Sequence, residues 1–593
     1  MSFLRGNTPP AARRFPGLAC AVRTAAWALI LFLCAGPAPA EPAAEPVLGV
    51  MTHFAQGWEP ELAGRVAEAG IRSVRDELYW QEVEPLRGHY VFPGLYQRYM
   101  AELRRRGISP LIELTFANKN YDGGMTPYTE EGFQGYARYG VALLRHYGTQ
   151  IGAVELWNEY NGTFCSGPAL ADRAATYTRM IRVAYRALKA ERPDIIVAGG
   201  ATAGVPLPYF EHLFAQGALD SMDAVSVHPY RYSSVPEGLE EDMAALQELI
   251  RRYNHGAPKP IWVTEIGWGT KTAAVPQGLA IDENTQASFL VRAYALLLSA
   301  GVKRIYWYLF RDTDAFASMG LVHNDRPRTP KPAYRAMKVM IDEIGIANLV
   351  RRETTAADFY SILFRRASGQ EVRVMWSLQP RAIVVPASSK VVGMLGKARV
   401  SGAGFVIASE PVFVEGTVSG LPPREVGAPK IIADSVRDFS NVQGRRGWSY
   451  GMFEPGPAGF KPLTGFRETD WKREWNARYP FLSLTDREQH PAESGAGPVA
   501  AVRRWTSLNG GRLRVRAVFA CGPQGDGVGV KVILEGRELF SDAIGGRRPA
   551  SCQFDSTCAV PPGGRVDFAV YPATRGNADF DATQVSVTIT EEP

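Results

Sequence analysis

Eight short apolar runs between residues 47 and 345 set the narrowest limit on what this chain can fold into. They are Val47–Met51, Ile71–Val74, Pro110–Leu114, Ala153–Leu156, Ile195–Ala198, Ala224–Val227, Ile261–Val263 and Ile305–Tyr308. Each is long enough for a buried strand and far short of the roughly 20 residues a membrane helix needs. Between the runs, apolar positions recur at the helical period. Tyr177, Met180, Ile181, Ala184, Tyr185 and Leu188 form one such face, and Ala287, Leu290, Val291, Tyr294, Leu297 and Leu298 another. A strand followed by a helix, repeated eight times, closes into a (β/α)8 barrel, assigned here to 41–345. An open doubly wound sheet is the competing solution. It is disfavoured because no G-x-G-x-x-G follows the first strand.

After the barrel the period changes to two. Val372, Val374, Trp376 and Leu378 alternate with polar residues, and Ile383–Val385 and Val412–Val414 read as further strands. Residues 346–417 therefore form a small β domain, and the Pro/Gly-rich stretch 418–429 a linker. In 430–593 the alternation returns at Leu513, Val515, Ala517 and Phe519, again at Val528, Val530 and Val532, and at Val585, Val587 and Ile589. This pattern predicts a β-sandwich. Four tryptophans there, Trp448, Trp471, Trp475 and Trp505, read as exposed stacking platforms of a carbohydrate-binding module or as packing residues. The closing stretch is similar to jelly-roll modules of secreted bacterial enzymes.

The first forty residues have a different character. Arg13, Arg14 and Arg23 precede the apolar run 25–33, which ends at Ala38-Pro-Ala40. A basic stretch, a short apolar core and an A-x-A site describe a secretory signal peptide over 1–40. A twin-arginine signal and a lipobox at Cys34 fit its flanks less well. The net charge of +6 falls to +2 once the four arginines of this leader are set aside, which leaves no electrostatic case for nucleic acid. The expected mature chain is periplasmic or extracellular, with no integral membrane segment. Of the four cysteines beyond the leader, Cys521, Cys552 and Cys558 allow three single disulfides, and Cys165 reads as a buried residue.

Barrel active sites lie at the C-terminal ends of the strands. Strand four runs into Val154-Glu-Leu-Trp-Asn-Glu-Tyr160, which places Asn158 and Glu159 at the rim. Strand seven runs into Ile261-Trp-Val-Thr-Glu-Ile-Gly-Trp268, which places Glu265 there. Strands four and seven are three apart around a ring of eight, so these carboxylates can face each other across the mouth. Retaining glycoside hydrolysis needs such a pair, one protonated and one ionised, about 5–5.5 Å apart.

At these residues the chain resembles a known group. Trp157-Asn-Glu159 and Trp262-Val-Thr-Glu265 resemble the acid/base and nucleophile motifs of the large clan of retaining (β/α)8 glycoside hydrolases. Within it the chain is most similar to glycoside hydrolase family 39, especially bacterial exopolysaccharide endoglycosidases of the Psl type. Arg75 at the end of strand two, His228 in Ser226-Val-His-Pro-Tyr230, Trp307 ending strand eight and Lys331-Pro-Ala-Tyr334 follow that pattern. The resemblance covers about 47–417 and implies Glu159 as general acid and base and Glu265 as nucleophile.

The supporting roles follow from chemistry. Arg75 holds Glu265 ionised, Tyr230 donates a hydrogen bond to it, and Asn158 binds the sugar 2-hydroxyl. His228 binds a sugar hydroxyl, Trp307 stacks on a sugar face or packs the barrel, and His53 and Asn118 are candidates to line subsites. Glu113 and Glu155 read as buried partners of a basic residue such as Arg75. Asn161-Gly-Thr163 matches a glycosylation sequon of the kind that arises by chance. No zinc-spaced cluster or phosphate loop occurs, so no cofactor or metal is expected. Asp526, Asp579 and Asp581 could hold calcium, but the preferred reading makes them ordinary turn acids. The expected partner is a polysaccharide or oligosaccharide substrate. Two rivals stand beside the endoglycosidase: an exo-acting β-xylosidase-like enzyme or transglycosidase, and a non-catalytic polysaccharide-binding component of an export apparatus.

Overall fold

The computed structural model describes residues 46–591 apart from 232–234, 271–280, 314–317, 355–357, 422–430, 437, 457–458, 469–472, 523–525, 547–550, 574–576 and 580. The leader, most of the linker and Trp471 lie outside the described residues.

Eight parallel strands close in sequence order into a barrel. They are β1 (Val47–Met51), β2 (Ser73–Glu77), β3 (Ser109–Leu114), β4 (Ala153–Leu156), β5 (Ile196–Ala203), β6 (Ala224–His228), β7 (Ile261–Ile266) and β8 (Arg304–Trp307). Closure is set by β8 pairing back on to β1, with Val50 opposite Trp307 on one side and Val74 on the other. The strands are buried on both faces, inside by each other and outside by helices, which is why most of their positions are apolar, β2 being the exception. Gly49 is required at closure: a Cβ there would lie 2.5 Å from the Tyr306 ring.

The surrounding helices start where their caps direct. Thr129 accepts from the Gly132 amide to open Glu130–Tyr147, and Asp172 accepts from Ala175 to open Arg173–Glu191. Asp282 caps Glu283–Ser299, and Pro332 begins Pro332–Glu343 at the position where its missing N–H costs nothing. No helix among the described residues is long and apolar enough to cross a membrane.

The next part of the chain, Asn348 to Glu415, forms a six-stranded and a two-stranded antiparallel sheet. Its Tyr360, Ile362, Val374 and Trp376 belong to the same core as the barrel. Trp376 donates its indole N–H to Glu237 at 2.8 Å, and Ser288 to the Ser409 carbonyl at 2.8 Å, so this sheet is a wall of the barrel unit. The last part is two packed antiparallel sheets with a core of its own, including Leu513, Val515, Phe519, Val530, Phe568 and Ile589. A closed barrel followed by such a sandwich is the architecture the periodicities predict.

The structure decides between the two readings of the sandwich tryptophans. Trp448, Trp475 and Trp505 are all buried. Trp475 donates to the Ser440 carbonyl at 2.8 Å and Trp448 packs against Phe568. They form the core of the sandwich and offer no face to a sugar. Cys165 and Cys521 are buried, and Cys552 and Cys558 are half-buried.

Candidate active site

The site is assembled around one guanidinium. Arg75 lies in the middle of β2 rather than at its end, and its side chain points into the barrel with no exposure. Its Nε donates to Glu155 at 2.6 Å, and its Nη1 to Glu265 at 2.6 Å. Nη2 reaches Glu113 at 2.5 Å and Asn158 Oδ1 at 3.1 Å. Glu113 and Glu155 are thus buried partners of Arg75, side by side in β3 and β4. The planar fork of arginine suits this convergence, since it presents donors in several fixed directions at once. One cation facing three buried acids cannot neutralise all of them. Burial first, then the neighbouring Glu77, Glu155 and Glu265, hold the Glu113 carboxyl well above the usual carboxylate range despite Arg75.

Glu265 has the opposite fate. Its Oε1 takes the Arg75 bond and its Oε2 accepts from the Tyr230 hydroxyl at 2.7 Å. Burial pushes the carboxyl up, but the charges of His228 and Arg75 and the Tyr230 hydrogen bond outweigh it and hold the group below its ordinary value. This is an ionised carboxylate only 7% exposed at the barrel mouth.

Glu159 arrives from a sharp turn off β4. Trp157 and Glu159 both have positive φ, 71° and 39°. Such conformations cost of order 1–3 kcal/mol each and persist only where surrounding contacts impose them. The Trp157 indole donates to the Phe164 carbonyl and its amide donates to the Tyr136 hydroxyl, both at 3.0 Å. His228, at the end of β6, bridges the two acids' elements. Its Nδ1 is 3.0 Å from Glu159 Oε1, and its Nε2 is 3.1 Å from the hydroxyl of Thr264, the residue before Glu265. Burial opposes charging of this ring, yet Glu265 and then Glu159 raise its pKa above the ordinary histidine value. One carboxylate oxygen each from Glu159 and Glu265 and one ring nitrogen of His228 lie within 4.8 Å of one another.

Asn158 gives its Oδ1 to Arg75, which leaves its NH2 group for a substrate hydroxyl. His53 sits beside Glu77 at 3.2 Å and beside the Tyr308 hydroxyl at 3.3 Å, lining the same mouth. Two other expectations need correcting. Trp307 is fully buried, donates to the Met319 carbonyl at 2.9 Å and packs on Trp268, so it serves barrel packing rather than sugar stacking. Asn118 is also buried, and its NH2 donates to the Trp80 and Glu84 carbonyls at 3.3 and 2.9 Å, tying loops instead of lining a subsite. Asn161 of the sequon is bonded through both side-chain atoms to Ala203.

Sequence reasoning missed Glu77, Thr264 and Tyr308. It also missed the stacked pair Phe116 and Phe164, 5.2 Å apart, with Phe116 against Trp157 and Phe164 41% exposed. A run of three charges, Arg75-Asp-Glu77, inside an apolar strand pattern was the available signal for Glu77. The phenylalanines carried none, because their loops have no period.

Residues 149–329 match the family model described as the glycosyl hydrolase catalytic core. With the barrel and its paired glutamates, this makes the chain an O-glycosyl hydrolase. Among solved structures it is similar to a family 39 glycoside hydrolase from Bacteroides cellulosilyticus WH2, at 22% identity and a TM-score of 0.55 over 63% of this chain and 81% of that one. It is also similar to a family 39 β-xylosidase from Caulobacter crescentus (19%, TM-score 0.46, 63% and 98% of the two chains) and to a family 39 enzyme from Xanthomonas axonopodis pv. citri (15%, TM-score 0.44, 90% and 96%). No curated protein matches the chain. It is a (β/α)8 glycoside hydrolase resembling those of family 39.

Proposed function

We propose that the chain is an exported, retaining glycosidase that cleaves within a bacterial extracellular polysaccharide by double displacement. The approach of the Glu159 and Glu265 oxygens to within 4.8 Å carries the retaining part. Inverting enzymes hold their carboxyl groups about 6.5–9.5 Å apart to admit a water, whereas retaining ones bring them to about 5–5.5 Å. Glu265, ionised and oriented by Arg75 and Tyr230, attacks the anomeric carbon. The glycosidic C–O bond breaks, and Glu159 gives its proton to the departing oxygen. His228, 3.0 Å from Glu159, holds that carboxyl in place. In the second step Glu159 takes a proton from water, the hydroxide attacks the anomeric carbon, and the bond to Glu265 breaks. Asn158 donates from its NH2 to the sugar 2-hydroxyl, a bond that strengthens as positive charge builds on the ring. Every step uses the chain's own side chains.

The endo-acting part and the extracellular setting rest on the motif resemblance and on the leader pattern of residues 1–40. A panel of bacterial exopolysaccharides with early-time product analysis tests them. A ladder of oligosaccharides supports cleavage within chains, while release of single sugars from the first minutes would make the enzyme exo-acting. A product more massive than the substrate would make it a transglycosidase. Proton NMR of the first-formed product tests retention. Glu265→Gln should lower turnover by roughly 10⁴-fold or more while polysaccharide binding persists. Unchanged turnover in that variant would remove the nucleophile.

A further inference from the structure

The closing sandwich holds a carboxylate that no other side chain among the described residues answers. Asp581 stands just ahead of the strand Thr583–Glu591, is 1% exposed, and neither of its oxygens has a hydrogen-bond partner. Its backbone is anchored, since Thr583 Oγ1 donates to its carbonyl at 3.0 Å. A buried, unpaired carboxylate is among the costliest groups a protein can carry. Its surroundings add to the cost. Burial first, and then the charges of Asp526, Asp579 and Glu493, push its pKa up to about 7. Glu493, on the short strand Ala492–Ser494, carries a second buried oxygen, Oε1, that also lacks a partner.

Ordinary turn acids face water, and Asp526 and Asp579 do so. Asp581 does not, and that separates this cluster from a solvated turn. The root of Asp526 is also fixed. A Cβ on Gly546 would meet the Asp526 carbonyl oxygen at 2.7 Å, and one on Gly527 would meet the Ile544 carbonyl at 2.6 Å. The connection that precedes Val528–Leu534 and the one that follows Arg537–Ile544 therefore touch backbone to backbone beside the acids.

We propose that Asp581 is the inner ligand of a calcium site at this end of the sandwich, with Glu493 beside it and Asp526 and Asp579 closing on the ion from the loop tips. Hard carboxylate oxygens select calcium or magnesium over zinc and copper. Calcium is favoured because it accepts six to eight oxygens in irregular geometry, while magnesium demands a near-ideal octahedron. Among the described residues no three of these acids lie as close as Glu159, His228 and Glu265 do, so the exposed pair moves inward on binding. The ion would then join connections that the sandwich core leaves separate, and stabilise the folded state by mass action.

The test is calorimetric titration of calcium chloride into the EDTA-stripped full chain, paired with thermal melts. One binding site and a melting transition raised by calcium are expected. Asp581→Asn should lose both, yet melt no lower than the parent chain in EDTA, since it removes an uncompensated charge. Asp526→Asn, on the surface, should fold normally and bind roughly ten-fold more weakly or worse. Absence of binding up to about 10 mM calcium, beyond the weak end of extracellular calcium modules, would overturn the proposal. So would binding retained in Asp581→Asn, binding lost instead in Glu159→Gln, or magnesium binding as tightly as calcium.

Discussion

Tyr230→Phe removes one oxygen and little else, which makes it the sharpest probe of the proposed nucleophile, Glu265. The hydroxyl donates to Glu265 Oε2 at 2.7 Å. A hydrogen bond to a charged group contributes about 1.5–3 kcal/mol. Losing it weakens the ionised form by that much and so moves the Glu265 pKa upward. Glu265 is only 7% exposed, so solvent screening takes little from this figure. The sign follows from what the reaction needs. Glu265 must be ionised to attack, and its pKa is held below the ordinary 4.5 in the intact site. The acid limb of kcat/KM reports that ionisation and therefore moves upward in the variant. Initial rates on a chromogenic aryl glycoside between pH 3 and 8 measure it, because that limb reports the free enzyme's essential base. The variant should lose much more activity at pH 4 than at pH 7. A uniform fall with an unmoved acid limb would show that Tyr230 binds sugar and does not tune Glu265, and would refute the reasoning.

Other outcomes can be stated briefly. Glu159→Ala should slow cleavage of an unactivated glycoside by roughly 10²–10⁴-fold, and that of a dinitrophenyl glycoside much less, since the latter leaves without a proton; equal losses would deny Glu159 its acid role. Glu113→Gln should stay within about three-fold of the parent kcat, because burial and neighbouring acids already favour a neutral Glu113, leaving little charge to remove; steady-state kinetics at pH 7 decide it. Gly49→Ala should lower stability by about 1–3 kcal/mol, seen in denaturant melts, because its Cβ would lie 2.5 Å from the buried Tyr306 ring.

The barrel was legible because each strand and helix carries its own period, and periods are local. Ala153–Leu156 was read with its boundaries correct, and the rim positions of Glu159 and Glu265 followed from the order of strands. Strand two shows where local reading fails. Its apolar run predicts 71–74, but the strand is Ser73–Glu77, three of whose five residues are charged. Hydropathy assigns such residues to solvent, whereas here each is buried with a partner: Arg75 among the acids, Asp76 on the Thr52 hydroxyl at 2.7 Å and Glu77 beside His53 at 3.2 Å. The same blindness left Trp448, Trp475 and Trp505 undecided between the surface and the core of the sandwich, since alternation shows that two faces exist without showing which is covered.

Sequence alone therefore determined the architecture and the rim positions of the two carboxylates, because residue type and spacing suffice for those. Tertiary structure decided what each carboxylate is. Arg75 meets Glu155 from 80 residues away and Glu265 from 190, and no spacing rule reaches that far. Only closure of the ring brings one guanidinium among three buried acids and two oxygens of Glu159 and Glu265 to within 4.8 Å. In that low-dielectric space, position sets charge: Glu113 is driven towards its neutral form and Glu265 towards its ionised one, although in the unfolded chain the two are the same acid.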